Sequence, residues 1–370
     1  MTNEFTYPSL RCIWEYMEPN KRIHITFRSP ELRRIDKSIT LHIDTLQLDE
    51  NRFKINDIAY EVDYGHQEVE PEDEKYEERP EEERLGPGDI QAGGESSWYP
   101  EITQLTIWGK LESIERQFPD TKPHVIAKKL ANLFFEGRCK IVARTLQTRE
   151  HEKILRLPVG FKVHTNVIKC LSNDFPYILP IVESSSKLTE LETYVSEEET
   201  LDHPKLRNAK SLILNGFMVL DFMDKLVTLT NEYVGITNDK LSEDDIIGLI
   251  RYWINIGKPV GTVWEIACEK EEYGSLLKKL EEEFDGKQDP SDKKFVNKST
   301  FFSSVCMTIP IDSKSQLVIG GIKRENPTCK VSLIRIESMP IELKPMPWIT
   351  YIMNYVEKLS VFISILIILT

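Results

Sequence analysis

Apolar positions follow three different regimes along the chain. Near the N-terminus, Leu10, Ile13, Trp14 and Met17 fall at i, i+3, i+4 and i+7, one stripe of a short helix that Pro8 opens at its first turn. Pro19-Asn20 predicts its end, and two more short apolar pieces follow, residues 23–27 and, after Pro30, 32–35. The spacing predicts a cluster of short helices over residues 1–40. From Thr40 the period drops to two. Leu41/Ile43, Phe53/Ile55 and Tyr60/Val62/Tyr64 alternate with polar residues, and Asp49-Glu50-Asn51 and Asn56-Asp57 between them are turn-formers, which predicts a small antiparallel meander.

Beyond Trp98 strand-like and helix-like stretches alternate. Residues 123–136 predict a helix with Pro123 in its first turn, Ile126, Leu130 and Phe134 on one face, and Gly137 as terminator. A second helix is predicted over 243–256, with Ser242 as N-cap and Gly257 and Pro259 at its end, and a third over 271–284. Strands are predicted at 103–108, 139–145, 161–170, 178–182 and 211–214, then as a meander over 301–309, 316–322 and 330–336. Leu46-Gln47-Leu48, Leu105-Thr106-Ile107 and Leu212-Ile213-Leu214 share an L-x-L character of irregular leucine-rich-repeat type, but their spacings of 59 and 107 residues follow no fixed period. The fold class is therefore α+β. A short-helix cluster precedes a mixed α/β body with antiparallel strands, spanning 41–65 and 98–346 and irregularly leucine-rich-repeat-like.

Charge divides the chain further. Residues 66–97 hold twelve acids and three bases, a net of −9 out of −13 for all 370 residues. This stretch carries almost no core-forming side chain, so it is expected to be a disordered acidic insert, either solvated or a docking arm for a basic partner. The remainder is close to neutral and has no basic stripe, which argues against nucleic acid as a partner. Six scattered cysteines without a C-x-x-C pair give no zinc-ligand spacing, and residues 1–10 show no secretory signal, so an intracellular, reducing setting in cytoplasm or nucleus is expected. Asn297-Lys298-Ser299, a glycosylation sequon by pattern, then reads as chance. Residues 347–370 form an apolar C-terminal tail ending LSVFISILIILT. Twelve uncharged residues fall short of the roughly 20 that span a bilayer. Three readings stay open for this end: a buried strand or helix, a membrane-associating tail, or an aberrant terminus.

No catalytic constellation stands out. His151-Glu152 lacks the second histidine of a zincin, no P-loop, G-x-S-x-G or dinucleotide fingerprint occurs, and Gly320-Gly321 lies within a strand-like run. Sequence therefore predicts a protein that is not an enzyme, with no cofactor, no metal and no catalytic residue.

The run Tyr7-Pro8-Ser9-Leu10-Arg11-Cys12-Ile13-Trp14-Glu15-Tyr16-Met17-Glu18-Pro19, followed by Arg22, Phe27-Arg28 and Leu32-Arg33-Arg34-Ile35, resembles an F-box, with Tyr7 where the general form opens on leucine. Together with Ser38-Ile39-Thr40-Leu41, Asp202-His203-Pro204 and Trp253-Ile254 leading to Gly257-Lys258-Pro259-Val260-Gly261-Thr262, it is similar to the nematode F-box C, or F-box-associated, proteins. The resemblance implies a protein-interaction adaptor, the substrate-recognition subunit of a cullin-type (Skp-cullin-F-box) ubiquitin ligase. Pro8, Leu10, Ile13, Trp14 and Met17 would then dock a Skp-type linker protein, and the body would carry an unknown protein substrate. The competing expectation is a stand-alone or membrane-peripheral scaffold in which the same stripe faces the core. Exposure of Trp14 and Met17 separates the two.

Overall fold

The computed structural model describes residues 7–64, 85–91, 102–109, 113–119, 121–148, 154–170, 175–195, 197–215, 222–240, 242–267, 272–290, 300–326 and 329–341. Three short helices come first: α1 (Tyr7–Tyr16), α2 (Pro19–Phe27) and α3 (Pro30–Lys37). Pro19 separates the first two by opening α2, because a missing N–H costs nothing at the first turn. The Glu18 carboxylate caps α2 by accepting from Lys21 N at 2.9 Å. Next come β1 (Leu41–Leu48), β2 (Arg52–Ile55), β3 (Ile58–Tyr64), β4 (Ile90–Gln91), β5 (Ile102–Trp108), β6 (Ser113–Pro119), α4 (Pro123–Phe135), β7 (Ile141–Thr148), β8 (Ile154–Leu155) and β9 (His164–Cys170). The chain continues through α5 (Phe175–Ile178), β10 (Glu190–Tyr194), α6 (Pro204–Arg207), β11 (Ser211–Asn215), α7 (Met223–Leu226), β12 (Tyr233–Lys240), α8 (Glu243–Ile256) and β13 (Val263–Ala267). It ends on α9 (Tyr273–Phe284), β14 (Lys287–Pro290), β15 (Thr300–Pro310), β16 (Ser315–Asn326) and β17 (Cys329–Pro340).

Fifteen strands form one mixed sheet in the order β14-β15-β16-β17-β13-β12-β11-β10-β9-β7-β1-β2-β3-β5-β6, and the fold is α+β. Its middle is parallel, from β1 through β7, β9, β10, β11 and β12 to β13, and each strand lies beside its predecessor in that series. Antiparallel arms flank this middle: β2, β3, β5 and β6 on one side, and β17, β16, β15 and β14 on the other.

The first six parallel strands share a burial rule. Positions i, i+3 and i+5, the first of them just ahead of the strand in β10, β11 and β12, are buried: Ile43/Leu46/Leu48, Ala143/Leu146/Thr148, Thr165/Ile168/Cys170, Leu188/Leu191/Thr193, Ala209/Leu212/Leu214 and Asn231/Val234/Ile236. In register, Leu146, Ile168, Leu191, Leu212, Val234 and Trp264 are neighbours, so the chain advances by 22, 23, 21 and 22 residues per strand and then by 30, where the long α8 intervenes. The three L-x-L triplets of the sequence do not form this series. Leu105 lies on β5 in the antiparallel arm, and the β2–β6 hairpins with α4 intervene between Leu46 and Leu146.

Other expectations meet the structure unevenly. The helices expected at 123–136, 243–256 and 271–284 form as α4, α8 and α9, and α8 starts on a reciprocal capping box between Ser242 and Asp245. Gly257 ends α8 in the left-handed conformation, at φ 66°. The strand expected at 178–182 is instead helical, α5 continuing into a 3-10 turn at Leu179–Ile181, and only Val182 forms an isolated bridge, to Val163 just ahead of β9. Pro176 and Pro180 lack the N–H a ladder needs and suit the first turns of helices. Gly320 and Gly321 lie in β16, opposite Arg335 and Ile334.

Two buried ion clusters hold the layers together. Asp36 of α3 accepts from Arg22 Nε of α2 and from Arg138 Nη2, just past α4, both at 2.7 Å, and all three side chains are buried. Arg22 also donates to Thr40 O at 2.8 Å, and Asn20 donates to Ile55 O at 2.9 Å while accepting from Tyr60 OH at 3.0 Å, so α2 is tied directly to the sheet. The second cluster corrects the extent of the expected insert. Residues 65–84 and 92–97 lie outside the described residues, but 85–91 is docked, with Asp89 held by Lys128 at 2.6 Å and by Arg156 at 2.9 Å. Gly88 is at φ 86°, and a Cβ there would come within 2.7 Å of Leu157 O, so this approach admits only glycine. The apolar tail at 347–370 also lies outside the described residues, and no helix among them is long and apolar enough to cross a membrane.

Lys258, just past α8, is buried. Its Nζ donates to Leu229 O at 2.6 Å and sits 5.3 Å from the centre of the Trp253 ring, and burial pushes its pKa below the ordinary lysine range. In the window between that lowered value and the ordinary one the unfolded chain binds more protons, so stability gained through Lys258 rises with pH. Denaturant midpoints of the parent and Lys258→Met at about pH 7 and about pH 9.5 should show the parent gaining on the variant at the higher pH. Separately, Asp36→Ala should lower unfolding free energy by about 3–5 kcal/mol in urea titrations, since it leaves two buried guanidinium groups without their shared carboxylate.

Candidate interaction surfaces

The N-terminal unit splits the expected docking stripe between two faces. Trp14 is 4% exposed and turned inward, Met17 is half-buried, and Ile13 is 44% exposed. Pro8 and Leu10 belong to α1, but their side chains lie outside what the structure describes. Tyr16, which the stripe did not single out, is 88% exposed. Ile25 and Phe27 of α2 are exposed as well, so among its described side chains the helical unit presents four large apolar ones to solvent. A single α1 turn puts Ile13 and Tyr16 three residues apart on one face, while Trp14 points the other way.

Met17 and Tyr16 also line a groove of about 730 Å³ between the α1–α2 junction and the first parallel strands. His42 and Asp44 of β1, Arg144 of β7 and His164 and Asn166 of β9 form its floor. Near this floor Ser186 Oγ lies 3.4 Å from His164 Nδ1, and Glu183 Oε2 lies 3.3 Å from the same nitrogen. Both contacts fall on one ring nitrogen, so the imidazole cannot relay a proton from the hydroxyl to the carboxylate, and the Ser186 hydroxyl accepts from Thr165 N at 3.2 Å as a structural bond. Among the described residues no group of His, Cys, Asp and Glu has the arrangement of a metal site.

The face of the parallel sheet opposite the buried ladder is largely polar and half-buried, with Glu265 fully buried in it. Opposite the buried ladder, a second row runs in register through Gln147, Lys169, Glu192, Ile213, Gly235, Glu265 and Arg335. Lys169 pairs with Glu190 at 2.9 Å and Glu192 at 3.2 Å. Burial alone would lower its pKa, and hydrogen bonding to Glu190 with the charge of Glu192 holds it above the ordinary value. Asn215 donates to Glu192 at 3.2 Å, Tyr233 OH to Glu265 at 2.8 Å, and Arg335 bridges Glu265 and Glu337, each at 2.8 Å. Gly235 lets the Tyr233 ring lie across the strand, since a Cβ there would meet the phenol oxygen at 3.1 Å. Such a row of cross-linked polar side chains on a rigid sheet offers preset hydrogen-bonding positions to a partner surface. Sequence missed it because its members sit between buried positions of varied residue type, and only register aligns them.

Residues 122–270 match a family described as a domain of unknown function, DUF3557. The match runs from α4 to just past β13 and so covers the parallel strands from β7 onward. No curated protein and no solved structure matches the chain.

The split of α1 has a direct consequence for stability. Trp14→Ala should cost about 3 kcal/mol or more in urea unfolding, as truncation of a buried tryptophan does. Ile13→Arg and Tyr16→Glu should stay within about 0.5 kcal/mol of the parent.

Proposed function

We propose that this chain is a non-catalytic protein-interaction adaptor of F-box-associated type, whose N-terminal helices dock a Skp-type linker protein of a cullin ubiquitin ligase and whose solenoid-like body holds a protein substrate. The observation that carries this reading is the outward placement of Ile13 and Tyr16 on a helical unit that Asp36 fastens to the sheet. Apolar anchors at the centre of an interface supply most of its affinity when the scaffold behind them is rigid. Trp14 serves as the internal strut of α1, and Ile13, Tyr16 and the half-buried Met17 form the docking face with Leu10 and Pro8 beside them in sequence. The recurrence of its buried positions every 21 to 23 residues supports reading the body as a repeat-like array, and arrays of this kind present extended surfaces to protein partners. Its polar row mixes cations with a larger number of carboxylates, which suits a protein surface better than a phosphate backbone.

The inward Trp14 favours a second reading, a stand-alone scaffold with no ligase attached, because it removes the largest apolar residue from the docking stripe. Affinity purification of the full chain distinguishes the two. The adaptor reading expects linker and cullin to co-purify with the parent, and expects Ile13→Arg or Tyr16→Glu to weaken linker binding by about 2 kcal/mol or more, roughly thirtyfold, at an unchanged melting point. A parent that captures neither linker nor cullin is the scaffold.

A further inference from the structure

The antiparallel arm ends in β6, which among the described residues pairs with β5 alone and is solvent-exposed at six of its seven positions. Beside it lies a second groove, of about 460 Å³, separate from both the α1 face and the polar row. Tyr60, Leu105 and Ile107 form its floor, and Phe27 of α2 is one wall, 43% exposed. The β6 side chains Ile114 and Phe118 face the same way, in register with Ile107 and Thr103, and Ile114 is 62% exposed. Of the ten lining residues, seven are apolar or aromatic, three are basic (His24, Arg28 and Arg116), and none is acidic. Neither Arg28 nor Arg116 forms an ion pair with any carboxylate among the described residues, and Arg116 lies 5.1 Å from the centre of the Phe118 ring. Glu115 and Gln117 alternate to the opposite face of the strand.

From these features we infer that β6 and its groove bind an extended segment of a partner protein as an added strand, the segment carrying apolar residues on one face flanked by aspartate or glutamate. An unpaired strand edge supplies backbone donors and acceptors along its length, and a pleated segment beside it sends every second side chain over the groove. Ile114, Phe118 and Phe27 receive the apolar ones. Arg28 and Arg116 meet the carboxylates, so a segment with lysine or arginine at those places is rejected by like charge. This site is independent of linker docking at α1, and its failure leaves that reading untouched.

The test pans a random seven-residue peptide library displayed on phage against the full chain. The best binder is then synthesised with a fluorescein label, alongside a copy methylated on alternate backbone nitrogens. Enriched sequences should combine apolar residues with at least one aspartate or glutamate. Anisotropy titrations should show about tenfold weaker binding to Arg116→Glu and to Ile114→Lys, and a comparable loss for the methylated copy. Both variants alter exposed side chains and should melt with the parent, and linker capture should not change. The inference is overturned by no enrichment over a protein-free control, or by enriched sequences that are basic or uncharged. Binding indifferent to both variants, or to backbone methylation, overturns it equally.

Discussion

A single row of fully buried side chains sets the architecture. Leu46, Leu146, Ile168, Leu191, Leu212, Val234, Trp264, Ile336, Ile319 and Met307 stand side by side across ten strands, each with no measurable exposure. A slip of one residue in any strand would turn its members of the buried set outward, so the row fixes register across the parallel middle and into the antiparallel arm. It also makes the change from parallel to antiparallel at β13–β17 inexpensive. Trp264 meets Ile336 there as it meets Val234 on the other side, and the edge-to-face contact of Trp264 with Trp253 seats α8 over the junction.

Hydrophobic burial alone would leave the N-terminal helices weakly attached, since α1 to α3 are each ten residues or shorter and marginal in isolation. Asp36 provides the missing specificity. By accepting from Arg22 and Arg138 it joins helices of the N-terminal unit to the turn between α4 and β7, a sequence separation of more than a hundred residues. Asp89 does the equivalent for residues 85–91, meeting Lys128 of α4 and Arg156 beside β8. Two carboxylates, each shared by two cations, thus attach peripheral segments to α4. This helix itself buries Ile126, Ala127, Leu130 and Phe134 against the sheet.

These attachments leave distinct faces for partners. The α1 face is apolar and small, the face of the parallel strands opposite the buried row is a fixed array of ion pairs and hydrogen bonds, and the β6 edge is apolar with a basic rim. Rigid placement on strands and ion-clamped helices reduces the ordering cost of binding at each of them. In the proposed adaptor, these different chemistries would let one chain hold different partners at once without competition for the same side chains.

Local patterns in the sequence determined the helices that carry strong punctuation. Ser242 and Asp245 opening α8 and Gly257 closing it are short-range signals that need no tertiary help. The β1–β2–β3 meander was legible from period-two alternation between turn residues, and the β15–β17 meander from three successive strand-like runs. The repeat was not legible. Its buried positions are filled interchangeably by leucine, isoleucine, valine, alanine, threonine, cysteine and asparagine, which a search for L-x-L cannot align. The insertion between Leu46 and Leu146 hid its first step. Composition placed residues 85–91 in an acidic loop, whereas Lys128 and Arg156, brought close only by folding, make Asp89 a buried anchor. Leu10, Ile13 and Trp14 of the expected stripe share α1, with Met17 just past its end, but spacing gives only the relative angle of side chains around an axis. Which side of that helix meets the core was decided by tertiary packing, which turned Trp14 inward and left Ile13 and Tyr16 facing solvent.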